Sequence, residues 1–279
     1  MKLLFAILPA FCMTAVAFAV NSLEQEFKCP FDGTIWKQRI ETSASPRGLR
    51  SDLRQLGDVV DPPTLPQCPK CRFPIFSDNL AEQANDPRKA KAFNRLKSFV
   101  LGADFQMLAS KNPSYFTLAQ VQEFLPAPHR YIALSYLRAS WQVEERDAVC
   151  QRFLEKAHDH FAAAVSEMKA TDRHFADTVL LCGEVERRLG MWDEAGKRFR
   201  DLQGTEGWKD SKLKPIVALQ MKLIEQHDPI PHALDDSAEA HRPNATQAPN
   251  ISIKQSAPLR SGLERPAVGG APGAKPSPN

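Results

Sequence analysis

The chain lacks the short motifs that mark most small-molecule enzymes. It has no glycine-rich phosphate loop, no Gly-x-Ser-x-Gly and no His-Glu-x-x-His, so the backbone phosphate cradle, the serine elbow and the helical metalloprotease pair are missing. No Lys/Arg-rich run interleaved with aromatics occurs, and the formal net charge is only +3 over 279 residues. Bulk charge therefore gives no basis for a nucleic-acid partner. Two further absences are positional. Leu3 to Ala19 contains no charge, and Pro229 to Asn279 contains no Phe, Trp or Tyr. They divide the chain.

The uncharged stretch follows Lys2 and ends Ala17-Phe18-Ala19, the small-x-small pattern that fits a signal peptidase. Residues 1–19 are expected to be a cleavable signal peptide, with cleavage after Ala19 and a periplasmic or secreted product. The alternative is an uncleaved membrane anchor, for which Leu3 to Val20 is at the short limit of the roughly 17–25 residues a span needs. Phe11 stands before Cys12 where lipidation needs a small residue. Cleavage removes one lysine, leaving a mature charge of +2 and no expectation of membrane insertion. At the other end, residues 229–279 hold nine prolines and four glycines. A segment of that composition buries too little apolar surface to offset its ordering entropy, so a disordered tail is expected. It carries two Asn-x-Ser/Thr sequons, at Asn244 and Asn250.

Between these ends lie two unlike regions. Residues 23–79 are rich in turn formers, with short apolar pieces such as Thr34-Ile35-Trp36 and Phe73-Pro74-Ile75-Phe76. The expectation is a small module of short strands that needs a staple. Residues 86–227 are helical. Asp86-Pro87 is a start signal, and Phe93, Leu96, Val100, Ala103 and Met107 recur at helical spacing. Pro113, Pro126 and Pro128 isolate a short segment around Thr117 to Leu125. Further helices are expected at 129–144, 147–169, 172–189, 192–202 and 211–226. A weak internal repeat at an offset of 46 aligns Asp147 to Phe153 with Asp193 to Phe199. Gly183, Gly190, Ala195 and Phe199 fall at the offsets of a tetratricopeptide (TPR) hairpin, although Glu186 stands where that repeat has Tyr. The fold class expected is mainly α: TPR-like hairpins or an ordinary bundle, preceded by a zinc-ribbon-like module.

The cysteines carry the chemical signal. Cys68-Pro69-Lys70-Cys71 is a zinc-knuckle sequence, whose tight turn aims two sulfurs at one ion. Cys29-Pro30-Phe31-Asp32-Gly33 reads as a second knuckle whose second cysteine has become aspartate. Cys29, Asp32, Cys68 and Cys71 are thus candidate ligands of a structural zinc, as three thiolates and a carboxylate. A disulfide, either Cys68–Cys71 or one of these with Cys29, is a second reading, because export exposes thiols to oxidation. A catalytic dithiol is a third, and the prolines at 62, 63 and 66 deny it the usual preceding strand. Cys150 and Cys182 are expected in the core and not bonded to each other. His158 and His160 alternate on a polar helical stretch and read as surface residues. Glu184, Glu186, Arg187 and Arg188 read as a solvated, mutually paired helix face.

The order of these features resembles an uncharacterised bacterial family, a domain of unknown function that joins a zinc-ribbon-like segment to TPR-like helices. The resemblance spans roughly residues 27 to 225. It rests on the two Cys-Pro turns, Tyr136-Leu137-Arg138-Ala139-Ser140-Trp141, Gly183 to Gly190, and Asp193-Glu194-Ala195. Members of that family usually have cysteine where this chain has Asp32. The resemblance implies an architecture and no activity. The function expected is protein or peptide binding on a groove of the helices 129–226, with no small-molecule substrate. The alternatives are a metal-dependent or redox enzyme at Cys29, Cys68 and Cys71, or a structural envelope component.

Overall fold

The computed structural model describes residues 22–41, 46–57, 61–76, 89–144 and 147–234. The expected signal peptide, the Asp86-Pro87 start signal and the chain beyond 234 lie outside these residues. Within them the protein is mainly α, with eight α-helices and two small antiparallel strand pairs.

The strand pairs come first. β1 (Ser22–Lys28) pairs with β2 (Ile35–Glu41), with Phe27 opposite Trp36 and their rings stacked at 5.6 Å. β3 (Pro46–Leu49) pairs with β4 (Gln55–Gly57). A two-stranded ribbon has no interior of its own and needs another element to pack on. The helices supply it. They are α1 (Ala90–Leu101), α2 (Ala103–Lys111), α3 (Ser114–Phe124), α4 (His129–Gln142), α5 (Asp147–Glu167), α6 (Phe175–Arg188), α7 (Trp192–Gln203) and α8 (Lys214–Glu225). Each packs against the next, and α1 also touches α3.

The expected run from Phe93 to Met107 divides at Gly102, whose extended backbone (ψ 148°) ends α1 and starts α2. Phe93, Leu96 and Val100 are buried, while Met107 is more than half exposed. In the α6–α7 hairpin, Gly183 lies directly under the Phe199 ring. A Cβ there would fall 2.6 Å from Phe199 Cζ, so only glycine lets the two helices approach this closely.

There are two hydrophobic cores among the described residues. The larger runs through α3 to α8 and is centred on α4, where Ile132, Tyr136, Leu137 and Ala139 are buried. The smaller gathers Cys29, Phe31, Cys68, Cys71 and Phe73 with Phe93, Leu96 and Val100 of α1, Phe105 and Ala109 of α2 and Val121 of α3. Phe76 packs against both. The N-terminal segment is therefore not a separate body: its interior is shared with α1, α2 and α3. Of the tail expected from Pro229, residues 229–234 are described and held. Ser51 N–H donates to His232 O at 2.8 Å and Leu234 N–H to Leu49 O at 2.8 Å, with a bridge between Arg50 and Ala233.

Candidate metal centre

Two tight turns build the site, and they are copies of each other. In the first, Cys29 N–H donates to Thr34 O at 2.8 Å and Gly33 N–H to Cys29 O at 3.1 Å. In the second, Cys68 N–H donates to Phe73 O at 3.0 Å and Arg72 N–H to Cys68 O at 2.9 Å. The fifth residue of each turn has positive φ, Gly33 at 73° and Arg72 at 58°. This bend turns the chain back so that the first and fourth side chains point the same way. Cys29 and Asp32 thus correspond to Cys68 and Cys71, and Asp32 stands where the second sulfur of a knuckle would be.

The backbone donors match as well. The N–H groups of Phe31 and Asp32 aim at the Cys29 sulfur. Those of Lys70 and Cys71 aim at the Cys68 sulfur, Cys71 N lying 3.4 Å from it. Phe73 N–H serves Cys71, as Thr34 N–H serves Asp32 Oδ1 at 2.9 Å. Such N–H groups favour the anionic forms that a metal requires.

The two turns face each other. Cys29 Sγ is 3.5 Å from Cys71 Sγ, and Cys68 Sγ is 3.5 Å from Asp32 Oδ2. One donor atom from each of the four residues fits within 4.8 Å of all the others. A tetrahedral zinc with bonds of about 2.3 Å to sulfur and 2.0–2.2 Å to oxygen has sulfur–sulfur edges of about 3.8 Å and sulfur–oxygen edges of about 3.6 Å. Two of the six separations, both 3.5 Å, lie near these edges and the rest are within 4.8 Å, so the four donors could hold one metal ion.

The surroundings are apolar. Cys29, Cys68 and Cys71 are 2% exposed or less. Phe31 meets Phe73 edge-on at 4.6 Å and Phe93 at 5.2 Å. The loop before Cys68 is pinned to α3: Leu65 N–H donates to Ser114 Oγ at 3.1 Å and Gln67 Nε2 to Thr117 Oγ1 at 2.8 Å. From α2, Gln106 Nε2 donates to Cys71 O at 2.7 Å. Asp32 alone is only half-buried.

The ionisation pattern of the metal-free site follows from this packing. The hydrogen bond from Cys71 lowers the Cys29 thiol to about 7, against burial and with help from the Asp32 and Phe31 N–H groups. The same bond, with burial, drives Cys71 up. Burial raises Cys68. Burial would raise Asp32 too, but the Thr34 N–H and hydroxyl and the two thiols outweigh it and hold the carboxyl at about 2.

Other residues singled out in the sequence lie elsewhere, and two readings are corrected. Glu184, Glu186, Arg187 and Arg188 are not a solvated face: their side chains are at most 5% exposed. Arg187 donates to Gln220 Oε1 at 2.7 Å, to Glu184 Oε2 at 2.9 Å and to the carbonyls of Asp228 and Ile230. Gln220 Nε2 donates to Ser51 O at 2.8 Å, and Arg188 lies 3.6 Å from the buried carboxylate of Asp52. Covered by residues 49–54 and 228–234, this face of α6 and α8 is dry. Spacing along one helix does not show this, because the covering segments come from distant parts of the chain.

His158 and His160 are also mostly buried and bridge helices. His160 Nε2 is 3.1 Å from Glu123 Oε1, and its Nδ1 is 2.8 Å from His129 Nδ1. His158 lies 3.3 Å from Glu186. With Cys182, these last two form a second group of potential ligands, but Arg198 grips both oxygens of Glu186, with Nε at 2.7 Å. That carboxylate is already neutralised, and the group reads as a satisfied polar core. Cys182 is buried and donates to Glu186; Cys150 accepts from Arg188 Nη2 at 3.7 Å.

No protein-family model, curated protein or solved structure matches the chain. No helix among the described residues is long and apolar enough to cross a membrane.

Proposed function

We propose that Cys29, Asp32, Cys68 and Cys71 bind one structural zinc ion, and that the chain is a protein-binding scaffold whose two N-terminal turns are fastened to each other by that ion. The supporting observation is the pair of matched turns with four donors within 4.8 Å of one another. With all four positions supplied by the protein, the coordination sphere is closed, as in structural rather than catalytic zinc sites. Among the described residues, the sulfurs are enclosed by Phe31, Phe73 and Phe93, which suits a structural rather than a catalytic centre.

The zinc part is tested by native mass spectrometry of the chain from Val20 onward, purified without chelators. One zinc per chain is expected. Cys68→Ser is expected to lose it and to loosen residues 22–76, read as faster amide exchange. No zinc in the unaltered protein contradicts the reading.

The scaffold part concerns the helical surface. Within the helices 129–226 expected to form a groove, the face of α6 and α8 is filled by residues 49–54 and 228–234. The open alternative is the cleft of α1 and α3, lined by Lys91, Asn94, Arg95, Ser98, Phe99 and Phe124. There the Phe99 and Phe124 rings stack at 4.3 Å and Arg95 lies over Phe124. Aromatic surface bordered by cations suits an acidic segment with an apolar anchor. Lys91→Glu with Arg95→Glu is expected to abolish capture of partners by the full-length protein; unchanged capture contradicts this choice of surface.

A further inference from the structure

The three sulfurs are not equivalent in what they can join. Cys68 and Cys71 belong to one turn, so a bond between them closes only that turn and leaves the first unattached. Cys29 and Cys71 belong to opposite turns, and their sulfurs stand 3.5 Å apart. Closing that gap to the length of a disulfide, about 2.05 Å, asks for a shift of the two side chains of about 1.5 Å in all. A Cys29–Cys71 bond would tie the same two turns that the metal ties.

We infer that Cys29 and Cys71 form a disulfide under oxidising conditions, and that this bond replaces the zinc as the fastener between the two turns. The inference rests on the zinc reading above. It also follows from ligand number. With Asp32 in place of a fourth sulfur, loss of two thiolates leaves Cys68 and Asp32, one thiol and one carboxylate, which cannot hold zinc against water. Oxidation and metal release are therefore one event.

The oxidant is a low-molecular-weight or protein disulfide, of the kind found outside the reducing cytosol. The Cys29 thiolate attacks one of its sulfurs, forming a mixed disulfide and expelling one thiolate. The Cys71 thiolate then attacks the Cys29 sulfur and expels the second. Two electrons pass to the oxidant, its two sulfurs leave as thiolates, and one zinc ion is set free. Asp32 is the half-buried ligand, so its side is where the oxidant enters.

The mature chain loaded with zinc is treated with oxidised glutathione while a chromogenic chelator reports free metal, and the disulfides are then mapped by non-reducing peptide mass spectrometry. One zinc released per Cys29–Cys71 disulfide is expected, with Cys68 open to alkylation. The oxidised protein is expected to melt roughly 5–10 °C above the reduced, metal-free protein. Cys68→Ser should still form the bond, and Cys71→Ser should not. A Cys68–Cys71 or Cys29–Cys68 disulfide, or no disulfide, overturns the inference. A Cys29–Cys71 bond in unaltered protein that takes up no zinc when the metal is supplied supports the pairing and overturns the metal reading, so the two fail separately.

Discussion

At the residue scale, the site was legible where local sequence sets local geometry. Cys-Pro-x-x-Gly and Cys-Pro-Lys-Cys each specify a turn, and the turns formed with matching hydrogen bonds. Asp32 could be placed because it occupies the fourth position of a repeated pattern. What stayed illegible was any polar residue whose partners come from far along the chain. Arg187 and Glu184 looked solvated because an isolated helix shows only its own three- and four-residue neighbours; Gln220, Ser51 and the carbonyls at 228 and 230 are 33 or more positions away.

Positive φ at the turns yields a prediction. No atom lies within 4 Å of a Cβ built on Gly33, so Gly33→Ala is penalised through the backbone alone. It is expected to cost about 1 kcal/mol, measured by denaturant unfolding. Arg72→Gly relieves the same conformation and is expected to be neutral or stabilising by up to ~1 kcal/mol. The opposite signs would show that the two turns are not conformational copies.

Burial of the Arg187–Glu184 pair gives a larger effect. Both side chains are fully enclosed, and removing one partner strands the other charge. Arg187→Met is expected to destabilise by roughly 3–5 kcal/mol, whereas a solvated pair would change stability by less than about 1 kcal/mol.

At the element scale, the helices were readable because apolar spacing and prolines act within one element; α3 to α8 lie within a few residues of their expected spans. The break at Gly102 was not read, since the apolar period runs on through it. Close packing of α6 on α7 depends on one missing methyl group. Gly183→Ala is expected to cost about 1–3 kcal/mol through overpacking on Phe199, and Phe199→Leu in the same chain should recover part of the loss. If Gly183→Ala alone is neutral, the two helices are not as close as described.

At the scale of the whole molecule, a small module beside a separate helical domain became one body with two cores. The reason is size: 23–79 has too little apolar surface to enclose four ligands, and α1, α2 and α3 complete the enclosure. The same wholeness gives a pH dependence. Glu123 and Glu186 are held below the usual carboxylate value of 4.5; burial opposes this, but His160 and Tyr136 for the first, and His158 and Arg198 for the second, outweigh it. Folded pKa values below the unfolded ones mean that their contribution is present above pH 4.5 and lost as pH falls through the folded values. Thermal stability is expected to drop steeply below pH 4.5, and Glu186→Gln should flatten that drop. An unaltered slope would contradict the assignment.

On the proposed reading, matched turns from two distant stretches of chain hold one metal ion with three sulfurs and one oxygen. Zinc-edge X-ray absorption of the purified mature protein tests it most directly. The expected spectrum has three sulfurs at about 2.3 Å and one oxygen at about 2.0–2.2 Å, with the oxygen replaced by sulfur in Asp32→Cys. A shell of nitrogen and oxygen without sulfur, or an Asp32→Cys spectrum unchanged from the parent, would contradict it.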